Sequence, residues 1–151
     1  PWYQHIKKNS IPTVLENNNI EIKVLVGEIN GVKSKVQTYS PVSIFDIQFS
    51  NPDTTSFKVD KKQNMMIYVI EGELQFIDSN KLASKGDMIF FDQSDDDISL
   101  TSISENGSYL VLAGEPLNEP VARYGPFVTN SEGEIKQAMI DYQEGKMGSL
   151  N

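Results

Sequence analysis

Residue types that carry redox or hydrolytic chemistry are scarce in this chain. It has one histidine, His5, and no cysteine, so disulfides, thiolate nucleophiles and thiolate metal sites are excluded. No Ser/His/Asp set, phosphate-cradling glycine loop or CxxC pair is present. Acids are more numerous, and the densest run is Asp95-Asp96-Asp97. That run has charge but not the alternating ligands and glycine of a calcium loop, and it reads as solvated surface. Acid–base chemistry inside a β-barrel would need a base on the interior. Tyr39 and Tyr68 are the tyrosines that could face inward, and each reads more simply as core with a hydrogen-bonded hydroxyl. Glu71 and Asp87 sit at turns and shape them, while Met65 and Met66 read as core filler. Whatever this chain does must depend on the elements that position such residues.

Those elements read as short strands. Ile20–Val26 alternates, with Ile22, Val24 and Val26 on one face and Glu21 and Lys23 on the other. Asn17-Asn18-Asn19 precedes it as a turn. Asn30-Gly31 is a type I′ hairpin signal, with Val32–Tyr39 as the expected return strand. Pro41 opens the next strand, where Phe45, Ile47 and Phe49 alternate with Asp46 and Gln48, and Asn51-Pro52-Asp53 ends it. The densest stretch is 65–91: a run from Met65 to Ile70, the turn Glu71-Gly72, a run from Glu73 to Ile77, and the turn Asp78-Ser79-Asn80. A strand around Leu82, the turn Ser84-Lys85-Gly86-Asp87 and the run Met88–Phe91 complete it. Ile98–Ser104 and Tyr109–Ala113 read as further strands around a hairpin turn at Asn106-Gly107. About ten short strands, with turns every few residues, predict an all-β jelly roll or sandwich.

The end of the chain changes character. Residues 114–120 are too proline-rich for regular structure, and Tyr124-Gly125-Pro126-Phe127-Val128 reads as a turn with aromatic flanks. Ser131 and Glu134 have capping-box spacing, and Ile135, Ala138, Met139 and Tyr142 recur at helical spacing. This predicts a helix near Glu132–Glu144 that stops at Gly145 and packs its apolar stripe onto the barrel. At 151 residues the chain fits one domain. Its boundaries are expected at 1–16 for a lead-in, 17–114 for the barrel, and 115–151 for the connection and helix within the same domain. A net charge of −8 argues against a nucleic-acid surface. No apolar run approaches the roughly 20 residues of a membrane span, and a cytoplasmic location is expected. The chain begins at Pro1, as expected after removal of an initiator or for a piece of a longer chain.

Tyr68-Val69-Ile70-Glu71-Gly72-Glu73, with the Gly86-Asp87 turn that follows, resembles the first motif of the cupin superfamily. The tail is more specific. Ala113-Gly114-Glu115-Pro116-Leu117-Asn118-Glu119-Pro120, Tyr124–Val128, Asn130-Ser131 and Asp141-Tyr142-Gln143 resemble the C-terminal domain of pirin and pirin-like proteins. So do Tyr3-Gln4, Ile11-Pro12, Gly27-Glu28 and Asn30–Lys33 near the front. The resemblance implies a cupin β-barrel with one C-terminal helix. It also implies a two-barrel parent in which an N-terminal half binds iron through histidines and a glutamate, and in which some members are quercetin 2,3-dioxygenases.

By cupin spacing, the metal-ligand positions fall near Lys58, Asp60 and Asn64, with the second-motif histidine position near Asp97. A lysine, two aspartates and an asparagine do not make a redox-iron site, which favours imidazole nitrogens with one carboxylate. No cofactor is therefore expected in this chain, and iron only in an N-terminal half. The expected role is a non-catalytic half that packs against the metal-binding half and offers an interaction surface. One alternative is that the parent is an iron-dependent oxygenase of quercetinase type. Another is that the vacated pocket binds a small molecule. Trp2, Tyr3, Tyr124, Pro126 and Phe127 are the candidate interface, toward the other half or toward a second copy in a homodimer.

Overall fold

Alternation with period two places apolar residues on one face of a strand, and a sheet built from such strands must bury that face. The computed structural model describes residues 5–58, 60–92 and 97–148. Trp2, Tyr3, Asp95 and Asp96 lie outside the described residues. The chain divides into two compact units, Ile6–Pro116 and a second formed by Leu117 onward with His5.

The first unit contains β1 (Thr13–Glu16), β2 (Ile20–Val26), β3 (Glu28–Ile29), β4 (Val32–Lys33), β5 (Val42–Phe49) and β6 (Asp53–Phe57). It continues with β7 (Asn64–Glu71), β8 (Glu73–Phe76), β9 (Leu82–Ser84), β10 (Met88–Phe91), β11 (Ile98–Ser102) and β12 (Gly107–Gly114). A six-stranded sheet runs β1-β2-β5-β12-β7-β10 and a four-stranded sheet runs β6-β11-β8-β9. All pairs are antiparallel. The two sheets do not close into one continuous ladder, so the architecture is a two-sheet jelly roll. Its core draws Ile22, Val24, Phe45, Ile47, Ile67, Val69, Tyr109 and Val111 from the larger sheet, and Leu74, Phe76, Ala83 and Leu100 from the smaller.

The turns reveal how the chain moves between sheets. Asn17 and Asn18, with φ of 49° and 62°, close the β1–β2 hairpin. Asn30 and Gly31, with φ of 50° and 76°, close β3–β4 as the I′ signal predicts. The return strand is only Val32–Lys33, however, because Ser34 leaves the ladder: its N–H donates to the Gly27 carbonyl and its hydroxyl to the Leu25 carbonyl. Tyr39, expected as a possible interior tyrosine, is fully exposed.

Glu71-Gly72 and Asn106-Gly107 are not hairpin turns. Each carries the chain from one sheet to the other, since β7 and β12 belong to the larger sheet and β8 and β11 to the smaller. Glycine is needed here for close approach. A Cβ on Gly107 would lie 2.3 Å from the Phe49 ring and 2.4 Å from the Glu71 carbonyl oxygen. A Cβ on Gly72 would lie 2.9 Å from the Asn106 carbonyl oxygen. The two corners pack against each other over Phe49, which no local turn signal encodes.

Strand β6, sequence Asp-Thr-Thr-Ser-Phe, has no apolar alternation to announce it. It is held by hydroxyls instead. On its outer side Thr54 pairs with Thr101 and Ser56 with Ser99, each at 2.9 Å. On its inner side buried Thr55 donates to a Glu16 carboxylate oxygen at 2.8 Å, tying the edges of the two sheets together.

The second unit contains β13 (Ala122–Tyr124), β14 (Phe127–Thr129) and α1 (Glu132–Gln143). Ser131 caps the helix, accepting from the Glu134 N–H, and the Glu134 carboxylate reaches back to the Asn130 N–H at 3.1 Å. At the other end Gly145, with φ of 72°, donates to the Tyr142 carbonyl and Lys146 donates to the Asp141 carbonyl. That pairing is a Schellman stop. Within this unit the helix packs against the β13–β14 hairpin. Ile135 is buried and Ala138 and Met139 are half-buried, but Tyr142 is exposed and meets the Phe127 ring edge-on at 6.2 Å. No described helix is long and apolar enough to cross a membrane.

Candidate functional site

A cavity of about 330 Å³ opens within the jelly roll. Its floor is apolar, formed by Phe45 of β5, Met65 of β7, and Val111 and Ala113 of β12. Strand alternation turns these side chains inward, and the first three are buried. Its rim is polar. Glu28 and Asn30 come from the β3–β4 hairpin, Lys58 and Gln63 from the segment between β6 and β7, and Asp97 from just before β11.

Two of the four positions read as vacated metal ligands therefore meet at this cavity: Lys58 and Asp97. The β6–β11 register ends at Phe57 opposite Ile98, so Lys58 and Asp97 are the next residues on the two segments, both at the cavity rim. Asp60 and Asn64 do not line the cavity. Asp60 instead accepts from the Lys62 N–H at 3.0 Å and closes the turn before β7. Asn64 is exposed, one residue out of phase with Met65, which takes the inward position. A floor of thioether and hydrocarbon with two carboxylates, one amine and no imidazole at the rim does not fit iron, which needs imidazole and carboxylate donors converging on one point. Among the described residues no group of three or more His, Cys, Asp or Glu side chains comes together to hold a metal ion.

Beside the cavity the Glu16 carboxylate is fully engaged. It accepts from Thr55 on one oxygen and from the Asn30 amide on the other, at 2.6 Å. Burial pushes the Tyr109 phenol well above the ordinary tyrosine range, and the nearby Glu16 carboxylate raises it further. Tyr109 is a neutral core residue across the physiological range. Tyr68, the other tyrosine considered for the interior, is half-buried on the opposite face of β7 from Ile67 and Val69.

That opposite face was not anticipated. Outward residues of β10, β7, β12 and β5 align in register as Phe90–Met66–Leu112–Ile44 and, one row on, Met88–Tyr68–Leu110–Asp46. Phe90 is 70% exposed and Met88 50%. Met66, read as core filler, belongs to this outer face. The unbroken apolar runs Met65–Ile70 and Met88–Phe91 were the available signal, because a strand covered on both sides loses its alternation. Of the aromatics proposed for an interface, Tyr124 and Phe127 pair directly across β13–β14 instead of lying outside strands. Tyr124 and Pro126 are exposed, and Phe127 is half-buried against Tyr142.

With this architecture in place, the comparisons with known proteins decide the family. The model of the pirin C-terminal cupin domain matches residues 44–148. This chain belongs to the pirin family. Among similar pirins, Pirin-1 of Arabidopsis thaliana is 32% identical over 151 residues, covering 98% of this chain and 52% of the relative. Pirin of Homo sapiens is 31% identical, covering 98% of this chain and 51% of the relative. The crystal structure of quercetin 2,3-dioxygenase from Acinetobacter baumannii superposes with a TM-score of 0.79 at 31% identity. That match covers 99% of this chain and 52% of the other. The chain thus spans about half the length of the pirins it matches.

Proposed function

We propose that this chain is the non-catalytic cupin half of a pirin, packing the outer face of its six-stranded sheet against a second, metal-bearing cupin domain. The observation that carries this reading is the apolar grid of Phe90, Met88, Met66, Tyr68, Leu110 and Leu112 on that face. Isolated soluble domains rarely leave a contiguous apolar patch beyond a few hundred Å². Contacts between domains of one chain cover about 600–1,500 Å², enough to bury such a grid. The chain spans only about half the length of the pirins it matches, which supports a partner on the same chain, and a homodimer is the twofold alternative when that partner is not supplied. The lack of cysteine suits a reducing, cytoplasmic setting.

The experiment is to mix this chain with the half of Arabidopsis Pirin-1 that it does not match and follow sedimentation. A one-to-one complex, lost on Phe90→Glu, is expected. Two independently sedimenting species would defeat the reading. Elemental analysis of the chain alone is expected to find no stoichiometric iron, copper, nickel or zinc. A second reading makes the parent an iron-dependent oxygenase acting on quercetin, with this half shaping the surroundings of the catalytic site. The likeness to the Acinetobacter enzyme favours it. Phe90→Glu in a two-domain pirin would then lower quercetin turnover without changing iron content.

A further inference from the structure

The cavity with the apolar floor has features that a purely structural half does not need. Its volume of about 330 Å³ lies at the small end of ligand pockets, matching a metabolite and not a drug-sized molecule. The rim holds two carboxylates, Glu28 and Asp97, and one amine, Lys58, with the Gln63 amide beside them. Among the described residues none of these four side chains has a hydrogen bond or ion pair, whereas Asn30 on the same rim is committed to Glu16. Their charges are available to a ligand.

We propose that this cavity binds a small zwitterion with an apolar side chain, of the amino-acid class. Charge complementarity makes the selection. A simple anion entering the mouth would meet Lys58 but also two carboxylates. A simple cation would meet the carboxylates but also Lys58. A molecule carrying both groups on one carbon answers both, its ammonium toward Glu28 and Asp97 and its carboxylate toward Lys58. The side chain is then left to cover Phe45, Met65 and Val111. The proposal concerns the inner cavity alone and does not rest on the docking of a second domain.

L-leucine is the probe, with 4-methylpentanoate and 3-methylbutylamine as the matched molecules lacking one charge each. Binding is followed by methyl NMR of the intact chain. Saturable shifts of the Met65 and Val111 methyls with L-leucine are expected, with weaker binding of both single-charge analogues. Lys58→Ala and Glu28→Gln, both at exposed positions, should each weaken binding by up to about fivefold, the upper end of the range for exposed ion pairs. Absence of saturation up to the solubility of L-leucine would overturn the proposal. So would equal binding of either analogue, or shifts that avoid Met65 and Val111.

Discussion

The two ends of the six-stranded sheet treat their outer faces differently. At the β2–β5 end the outward positions carry Glu21, Lys23, Asp46 and Gln48, and the Lys23 amine sits 3.6 Å from Glu21 and 3.8 Å from Asp46. At the β12–β7–β10 end the outward positions carry Leu110, Leu112, Met66, Tyr68, Met88 and Phe90. The inner faces of both ends are alike, buried and largely apolar. Folding alone requires only the inner face to be apolar. The first end meets that requirement and spends its outer face on water. The second exceeds it, and the excess is what the proposed packing against a partner would use.

The contrast can be broken first by energetics. Ile67 and Phe90 belong to neighbouring strands of the apolar end, one inward and fully buried, the other outward. Ile67→Ala should cost about 2–5 kcal/mol in chemical denaturation. Phe90→Ala in the same chain should change stability by no more than about 0.5 kcal/mol. Comparable costs would mean that the outer face already works as core. Next comes the corner where β12 begins. Gly107→Ala forces a Cβ against Phe49 and the Glu71 carbonyl, and overpacking of this kind costs about 1–3 kcal/mol, measurable in the same titration.

The inner face also predicts a pH dependence. Tyr109 stays protonated in the folded state beyond the range in which an unfolded tyrosine ionises near pH 10. Below that pH both states are neutral and the residue contributes no slope. Above it the unfolded state holds fewer protons than the folded one, so stability falls as pH rises, by about 1.4 kcal/mol per pH unit. Tyr109→Phe should remove this component. Denaturation at successive alkaline pH values checks it, and an unchanged slope would contradict it. The smallest effect belongs to the polar end: Lys23→Ala should cost about 1 kcal/mol or less, a difference that high salt reduces only in part because the pair is partly buried.

Much of this fold was legible because burial leaves a period. Ile20–Val26 and Val42–Phe49 alternate cleanly and became β2 and β5. The capping box at Ser131 and the stop at Gly145 fixed α1. What failed did so for physical reasons. Glu71-Gly72 and Asn106-Gly107 look like hairpin turns locally, but whether a glycine closes a hairpin or turns a corner depends on Phe49, which lies distant in sequence from both. Strand β6 hides because its stability comes from threonine and serine hydroxyls. At the cavity, Lys58 and Asp97 both reach the rim. Asp60 and Asn64 do not, since a one-residue change of phase sends Asn64 outward and Met65 in. The apolar outer face was written in Met65–Ile70 all along, but a run without alternation does not say which of its residues face the core.

The most direct test of the outer face is sedimentation velocity of the chain across a wide concentration range, comparing it with the Phe90→Glu variant. Aromatic and methionine side chains dominate interface cores, and the net charge of −8 opposes association only mildly at physiological salt, where the Debye length is about 8 Å. The account predicts reversible, concentration-dependent self-association of the unmodified chain, with Phe90→Glu monomeric and unchanged in its thermal midpoint. A chain that remains monomeric at high micromolar concentration, and that fails to bind a metal-bearing pirin half, would contradict it.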